Sequence, residues 1–303
     1  MRRLLLASTI ILSLLISGCS SPNNKEDDTI KIASLVTTES QIIAYIMKYM
    51  IEHYTNEETE IINNLGSGTV VHQAMVNGDV NMSAVRYTGT DITGALKAKP
   101  IKDSDEALTF VQKEFTKRFN QTYSDSYGFE NTYAFMVTKE TAKKYNLKKV
   151  SDLAPVAGKL EAGVDTTWIN REGDGYKAFV EEYGFDFSRT YPMQIGLVYD
   201  AVESGDLDVV LGYTTDGRIP SYDLVVLEDD LNFFPPYDAS PLGDNELLEE
   251  KPEVKEAVER LVGKIPTKTM QELNFLVDNN LIEPAVVAEQ FLEEHNYFSG
   301  GEE

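Results

Sequence analysis

The sequence predicts an α/β protein of two lobes around a shared cleft, on three observations. Apolar residues switch between a period of two and a helical period along most of the chain, the strand–helix rhythm of a doubly wound lobe. The length is sufficient for two compact lobes once a leader and a polar tract are set aside. A motif also recurs: Gln73–Asp79 leads through an apolar strand to Y-T-G-T-D at Tyr87–Asp91, and Asp200–Asp206 leads through another to Y-T-T-D-G at Tyr213–Gly217. Each copy is a short helix, a Gly-Asp turn, a strand and a Tyr-Thr-Asp exit. Ligands of α/β folds gather at the carboxyl ends of strands. Two such exits facing each other would place two tyrosines in one cleft.

In order, Thr29–Val36 alternates and predicts the first strand. Thr38 opens T-E-S-Q, a capping-box pattern, followed by Ile42, Ile46, Tyr49, Met50 and His53 at helical spacing. Glu60–Asn64 is a second strand; Thr69 is expected to cap a helix through Met75, and Val80–Tyr87 is a third strand. Asp103 opens a helix to about Phe119, and Asn131–Thr138 is a strand. The rhythm then repeats: helix Lys139–Tyr145, a short helix from Val150, strand Glu161–Val164, and a polar loop Asp165–Asp174 holding Trp168 and Arg171. Helix Gly175–Tyr183, strand Tyr191–Ile195, helix Gly196–Ser204, strand Leu207–Tyr213 and a strand-like Tyr222–Leu227 follow. Three helices close the chain near Pro252–Val262, Thr267–Val277 and Pro284–Glu294.

The N-terminus addresses location. Arg2 and Arg3 precede an apolar run, Leu4–Leu15, of signal-peptide length and too short to span a bilayer. Ile16-Ser17-Gly18-Cys19 then resembles the lipobox of bacterial lipoproteins, which implies cleavage before Cys19 and acylation of its thiol. As the single cysteine, it excludes an intramolecular disulfide framework. Residues 19–28 are polar and read as a tether. The chain carries 27 basic and 50 acidic residues, a net charge of −23. Such a field repels nucleic acid and anionic lipid and draws cations.

Catalytic chemistry has little support. His53, His72 and His295 are not spaced as metal ligands, and neither G-x-x-x-x-G-K-[ST] nor G-x-S-x-G occurs. No metal or cofactor is expected. Aromatic placement is the stronger signal. Tyr87, Tyr133, Tyr213 and Tyr237 all stand at strand ends or lobe boundaries, Tyr237 in the rigid run F-F-P-P-Y-D. A quaternary ammonium offers no conventional hydrogen-bond donor, so a site must hold it with π faces, each contributing roughly 0.5–2 kcal/mol. Three or four faces give gross attraction near the ~8 kcal/mol of a micromolar complex, before ordering costs.

Six stretches resemble the substrate-binding lipoproteins of osmoprotectant ABC importers, the glycine betaine, carnitine and choline receptors. They are R-Y-T-G-T-D at Arg86, D-S-Y-G-F-E-N-T-Y-A-F at Asp125, G-D-G-Y-K-A-F at Gly173, Y-P-M-Q-I-G-L-V-Y-D-A-V at Tyr191, T-D-G-R-I at Thr215 and F-F-P-P-Y-D at Phe233. The resemblance implies a type II periplasmic-binding-protein fold with two crossover strands. Lobe one would be residues 29–134 plus 237–303, and lobe two 135–236, with hinges at Thr132–Phe135 and Asn232–Tyr237. It implies a cage of Tyr87, Tyr133, Tyr213 and Tyr237 for the trimethylammonium group, and a specificity role for Thr90; threonine there resembles the broad-specificity receptors. Its partners would be a quaternary ammonium ligand, ABC permease subunits and the membrane through the lipid anchor, the receptor itself being a monomer. One departure concerns the ligand carboxylate: where the family has a glutamine after the first strand, this chain has Leu35. Thr37, Thr38, Thr88 and Thr90 are the replacement donors on offer. Two rivals stay open. A receptor for a cationic amino acid would make Asp91 and Asp216 central, and a surface hydrolase would use Asp/Glu pairs.

Overall fold

A computed structural model describes residues 29–298 apart from Thr167, Glu172 and Gly173, so the leader, Cys19 and the tether lie outside the described residues. Two five-stranded sheets organise the chain. The first has the order β2 (Thr59–Leu65), β1 (Ile30–Leu35), β3 (Met82–Tyr87), β10 (Ala239–Asp244), β4 (Gln121–Tyr123). The second has the order β7 (Arg189–Met193), β6 (Glu161–Asp165), β8 (Val209–Tyr213), β5 (Tyr133–Thr138), β9 (Leu224–Val226). In each, three parallel strands meet one antiparallel strand: β10 beside β3, and β5 beside β8. Those two antiparallel strands follow the passages of the chain between the sheets. The passages touch each other through a bridge between Glu130 and Asp238 and through the Asn131 amide donating to the Tyr237 carbonyl at 3.1 Å.

Helices cover both faces of each sheet. Helix α1 (Thr38–Tyr54) buries Ile42, Ile43, Ile46, Met47, Met50 and Ile51, a stripe at helical spacing, on one face of the first sheet. It packs there with α10 (Pro252–Glu259), α11 (Thr267–Asp278) and α12 (Pro284–Glu294). Helices α2 (Gly68–Asn77), α3 (Thr88–Thr93) and α4 (Ser104–Phe119) cover the other face around Phe115, Val111 and Ile92. The second sheet packs an aromatic core of Phe135, Trp168, Phe179 and Phe234 against α5 (Lys139–Tyr145) and α6 (Tyr176–Tyr183). On its other face lie α7 (Ile195–Glu203) and α8 (Arg218–Ser221). Helix α9 (Asn245–Glu250) follows β10.

Several sequence expectations shift. Thr38 is the first helical residue of α1, not its cap; Thr37 stands at the cap and makes no side-chain bond there. The Thr38 hydroxyl instead donates to Asp278 at 2.6 Å. Ser67, not Thr69, caps α2, accepting from the Val70 amide at 3.3 Å. Asp103 does cap α4, accepting from the Glu106 amide at 2.8 Å. The strand expected at Tyr191–Ile195 lies two residues earlier, and Ile195 already belongs to α7. The sequence pattern marks neither strands β4 and β10 nor helices α3, α8 and α9. β4 is three residues long, and β10 (A-S-P-L-G-D) carries a proline and a glycine that break a strand-like pattern.

Candidate ligand-binding site

Sheet register brings the tyrosines together. Tyr133, the first residue of β5, pairs directly with Tyr213, the last of β8. Directly opposite residues on neighbouring strands carry side chains on the same face, and here the ring centroids are 5.0 Å apart. In the other sheet Tyr87, the last residue of β3, pairs with Ala239, two residues after Tyr237. Gly89 allows the remaining approach. Its amide donates to the Pro236 carbonyl at 3.0 Å, and a Cβ there would stand 2.7 Å from that oxygen and 3.1 Å from the Tyr237 ring. Thr88 clamps the same passage, donating to the Pro236 carbonyl and accepting from the Asp238 amide, both at 3.1 Å.

The result is a cleft of about 420 Å³ between the sheets, lined by Tyr87, Thr90, Tyr133, Tyr213 and Tyr237 with Thr37, Thr93, Gly94, Asn131 and Arg171. All five residues singled out for binding therefore share one cavity. A larger hollow of about 610 Å³ lies along the passages and meets the cleft only at Tyr133.

Each ring is held by its hydroxyl. Tyr87 donates to Glu39, and Tyr133 donates to the buried Asp165 at 3.5 Å. The Tyr213 and Tyr133 hydroxyls lie 3.4 Å apart, and Arg171 Nη2 donates to the Tyr237 hydroxyl at 3.2 Å. Burial, with Glu39 alongside, pushes the Tyr87 phenol well above its ordinary value; burial and the neighbouring Tyr133 do the same to Tyr213. Both rings stay neutral at physiological pH.

Of the four threonines offered as carboxylate donors, Thr37 and Thr90 face the cleft. Thr38 and Thr88 are engaged elsewhere, as described. Leu35 packs into the apolar layer with Val71 and Ile92 and lines no cavity described above. The cation that sequence reasoning left in a polar loop is Arg171. Its guanidinium lies 5.7 Å from the Tyr133 ring centroid and pairs with Asp174 at 2.7 Å. Only its neighbourhood to Trp168, itself fully buried 6.2 Å from the Tyr133 ring, hinted at this place.

Asp91 and Asp216 do not line the cleft. Asp91 is buried and paired with Arg86; Asp216 is paired with Arg218 at 2.7 Å. Among the described residues no cluster of His, Cys, Asp or Glu is arranged to hold a metal ion.

Two α/β lobes meeting at a cleft walled from both sheets define the molecule as a substrate-binding protein of the type II periplasmic-binding class. Residues 28–294 match the OpuAC family, described as the substrate binding domain of ABC-type glycine betaine transport system, and the chain belongs to that family. It is 54% identical over 290 residues to the carnitine transport binding protein OpuCC of Listeria monocytogenes, covering 95% of this chain and 94% of that one. A glycine-betaine-binding protein of Pseudomonas aeruginosa is 28% identical over 312 residues, covering 96% of each. A solved structure described as a glycine betaine/carnitine/choline ABC transporter superposes with a TM-score of 0.86 at 57% identity, over 89% of this chain and 99% of that chain.

Proposed function

We propose that this protein captures a trimethylammonium solute, glycine betaine, carnitine or choline, outside the cytoplasm and delivers it to an ABC permease. One observation carries the reading: four tyrosines from both sheets line one cavity, each held by its hydroxyl, with a guanidinium on the same wall. π faces suit the quaternary ammonium. Arg171 suits the carboxylate of betaine or carnitine and replaces the donor that Leu35 cannot provide. The names of the relatives, which bind carnitine and glycine betaine, support the same ligand class. Thr90 lies where it would contact the ligand and tune the choice among them.

In this reading the receptor is a monomer anchored through Cys19 and performs no covalent chemistry. The lobes are 29–134 with 237–303, and 135–236, hinged at the two passages, save that Tyr133 and Ala134 already pair in β5 of the second sheet. The rival for a cationic amino acid loses its premise, because Asp91 and Asp216 are already committed to Arg86 and Arg218.

Titration calorimetry with glycine betaine, carnitine and choline, each with lysine as competitor, tests the proposal. All three solutes should bind and lysine should not displace them. Arg171→Ala should weaken betaine and carnitine far more than choline, which has no carboxylate. Displacement of choline by lysine at similar concentration would favour the rival.

A further inference from the structure

Glu39 lies outside the cleft, yet everything around it leads there. It is only 3% exposed, in the first turn of α1. Three donors converge on its carboxylate, from three parts of the chain. The Tyr87 hydroxyl comes from the end of β3, Asn131 Nδ2 from the first passage at 3.1 Å, and Asn274 Nδ2 from α11 at 3.5 Å. Thr215, from the turn after β8, stands beside the carboxylate. Among the described residues Glu39 has no salt-bridge partner. Burying a carboxylate without a cation is costly unless hydrogen bonds satisfy it, so this group depends on all three donors arriving together.

Thr215 stands there because the turn after β8 is held against α11, a helix that packs on the first sheet. Asn274 Nδ2 also donates to the Thr215 carbonyl at 2.9 Å, and Gln271 Nε2 donates to the Thr214 carbonyl at 2.7 Å. Gly217 approaches α11 so closely that a Cβ would stand 2.5 Å from Phe275 Cβ. Glu39 therefore joins the back of one cage wall, Tyr87, to the seam formed by the turn that follows another, Tyr213.

We propose that Glu39 is a positioning residue for ligand capture: it fixes the Tyr87 ring in the cleft wall and makes that fixation strongest when the lobes are closed. A phenol donating to a carboxylate is held in orientation by a charge-assisted hydrogen bond, and added electron density on the ring strengthens its attraction for a cation. The inference rests on the reading of the cleft as a quaternary ammonium site.

The test is a double-mutant cycle on the purified protein, read by titration calorimetry with carnitine. Glu39→Ala should weaken binding about tenfold, the size expected for losing a hydrogen bond to a charged group. In a Tyr87→Phe background, where the ring stays and the hydroxyl is gone, the same change should cost no more than about threefold. Glu39→Gln keeps the side-chain volume and should show the same coupling to Tyr87→Phe, which preserves the test if the alanine variant does not fold. Small-angle scattering with saturating carnitine should show the glutamine variant less compact than the unaltered protein. Equal losses in both backgrounds, or no loss in either, overturn the inference alone. Failure of the unaltered protein to bind carnitine, glycine betaine or choline overturns the functional reading and this inference with it.

Discussion

After β3 the chain turns straight into a helix; after β8 it makes an open turn and only then a short one. The residues are nearly the same, Y-T-G-T-D against Y-T-T-D-G, and both turns are tied down in the same way. Arg86 Nη1 donates to the Gly68 carbonyl at 2.9 Å, at the start of α2, and Arg218 Nη1 donates to the Gly196 carbonyl at 2.6 Å, at the start of α7. Each arginine is paired with the aspartate of its own exit. The order differs: arginine precedes the tyrosine in the first copy and follows the aspartate in the second. The threonines differ in place as well. In the first copy, α3 presents Thr90 to the cleft. In the second, Thr215 is carried away from the cleft into the seam, against Asn274 and Glu39. One exit is a wall with a polar contact; the other is a wall with a latch.

The sharpest separation is expected in stability. The Arg86–Asp91 side chains are both 2% exposed, whereas Arg218 and Asp216 are 19% and 14% exposed. Asp91→Ala leaves an uncompensated buried charge and should cost about 3–5 kcal/mol. Asp216→Ala leaves a cation that solvent reaches and should cost about 1–2 kcal/mol. Urea denaturation measures both, and equal costs would mean that the two ties are equivalent.

A close-approach glycine in each exit sharpens the contrast next. Gly89→Ala should push Tyr237 or the Pro236 carbonyl out of place, and Gly217→Ala should push α11 off the seam. Each should cost about 1–3 kcal/mol in ligand binding. Only Gly217→Ala should also leave the ligand-saturated protein less compact by small-angle scattering. The same expansion from both would erase the distinction between wall and latch.

Removing the walls themselves should be nearly symmetrical. Tyr87→Ala and Tyr213→Ala should each weaken betaine or carnitine at least tenfold, about 1.4 kcal/mol, followed by calorimetry or by Trp168 fluorescence.

The smallest effect concerns pH. Burial raises Glu39 above its ordinary value of 4.5 against the pull of the polar groups around it. A carboxyl raised by folding holds its proton longer in the folded state, so its contribution to stability declines as pH rises from 4.5 through the raised value. Glutamine does not titrate. Thermal melts should therefore show Glu39→Gln gaining on the unaltered protein as pH rises through that window; a constant difference would place the carboxyl at its ordinary value.

The sequence showed the recurring exits because their signal is local: a Gly-Asp turn, an apolar strand and an aromatic at its end. It showed four tyrosines for the same reason, and the family resemblance joined them. It did not show β10, whose proline and glycine hide a strand held by β3 and β4 on either side. Nor did it show α3, because Thr88–Thr93 has poor helix formers and is held by the buried Asp91–Arg86 pair. Glu39 falls inside the T-E-S-Q pattern, which carries no sign of burial, and only tertiary packing turns it inward. Arg171 had no local mark beyond its nearness to Trp168; its role depends on the loop after β6 reaching Tyr133 and Tyr237.

A crystal structure of the protein with carnitine bears most directly on the central claim that both exits wall one cation site. The expected result is a trimethylammonium nitrogen within about 6 Å of the ring centroids of Tyr87 and Tyr213 as well as Tyr133 and Tyr237, with the carboxylate toward Arg171. A nitrogen in contact with the rings of one sheet only, or outside this cleft, would contradict it.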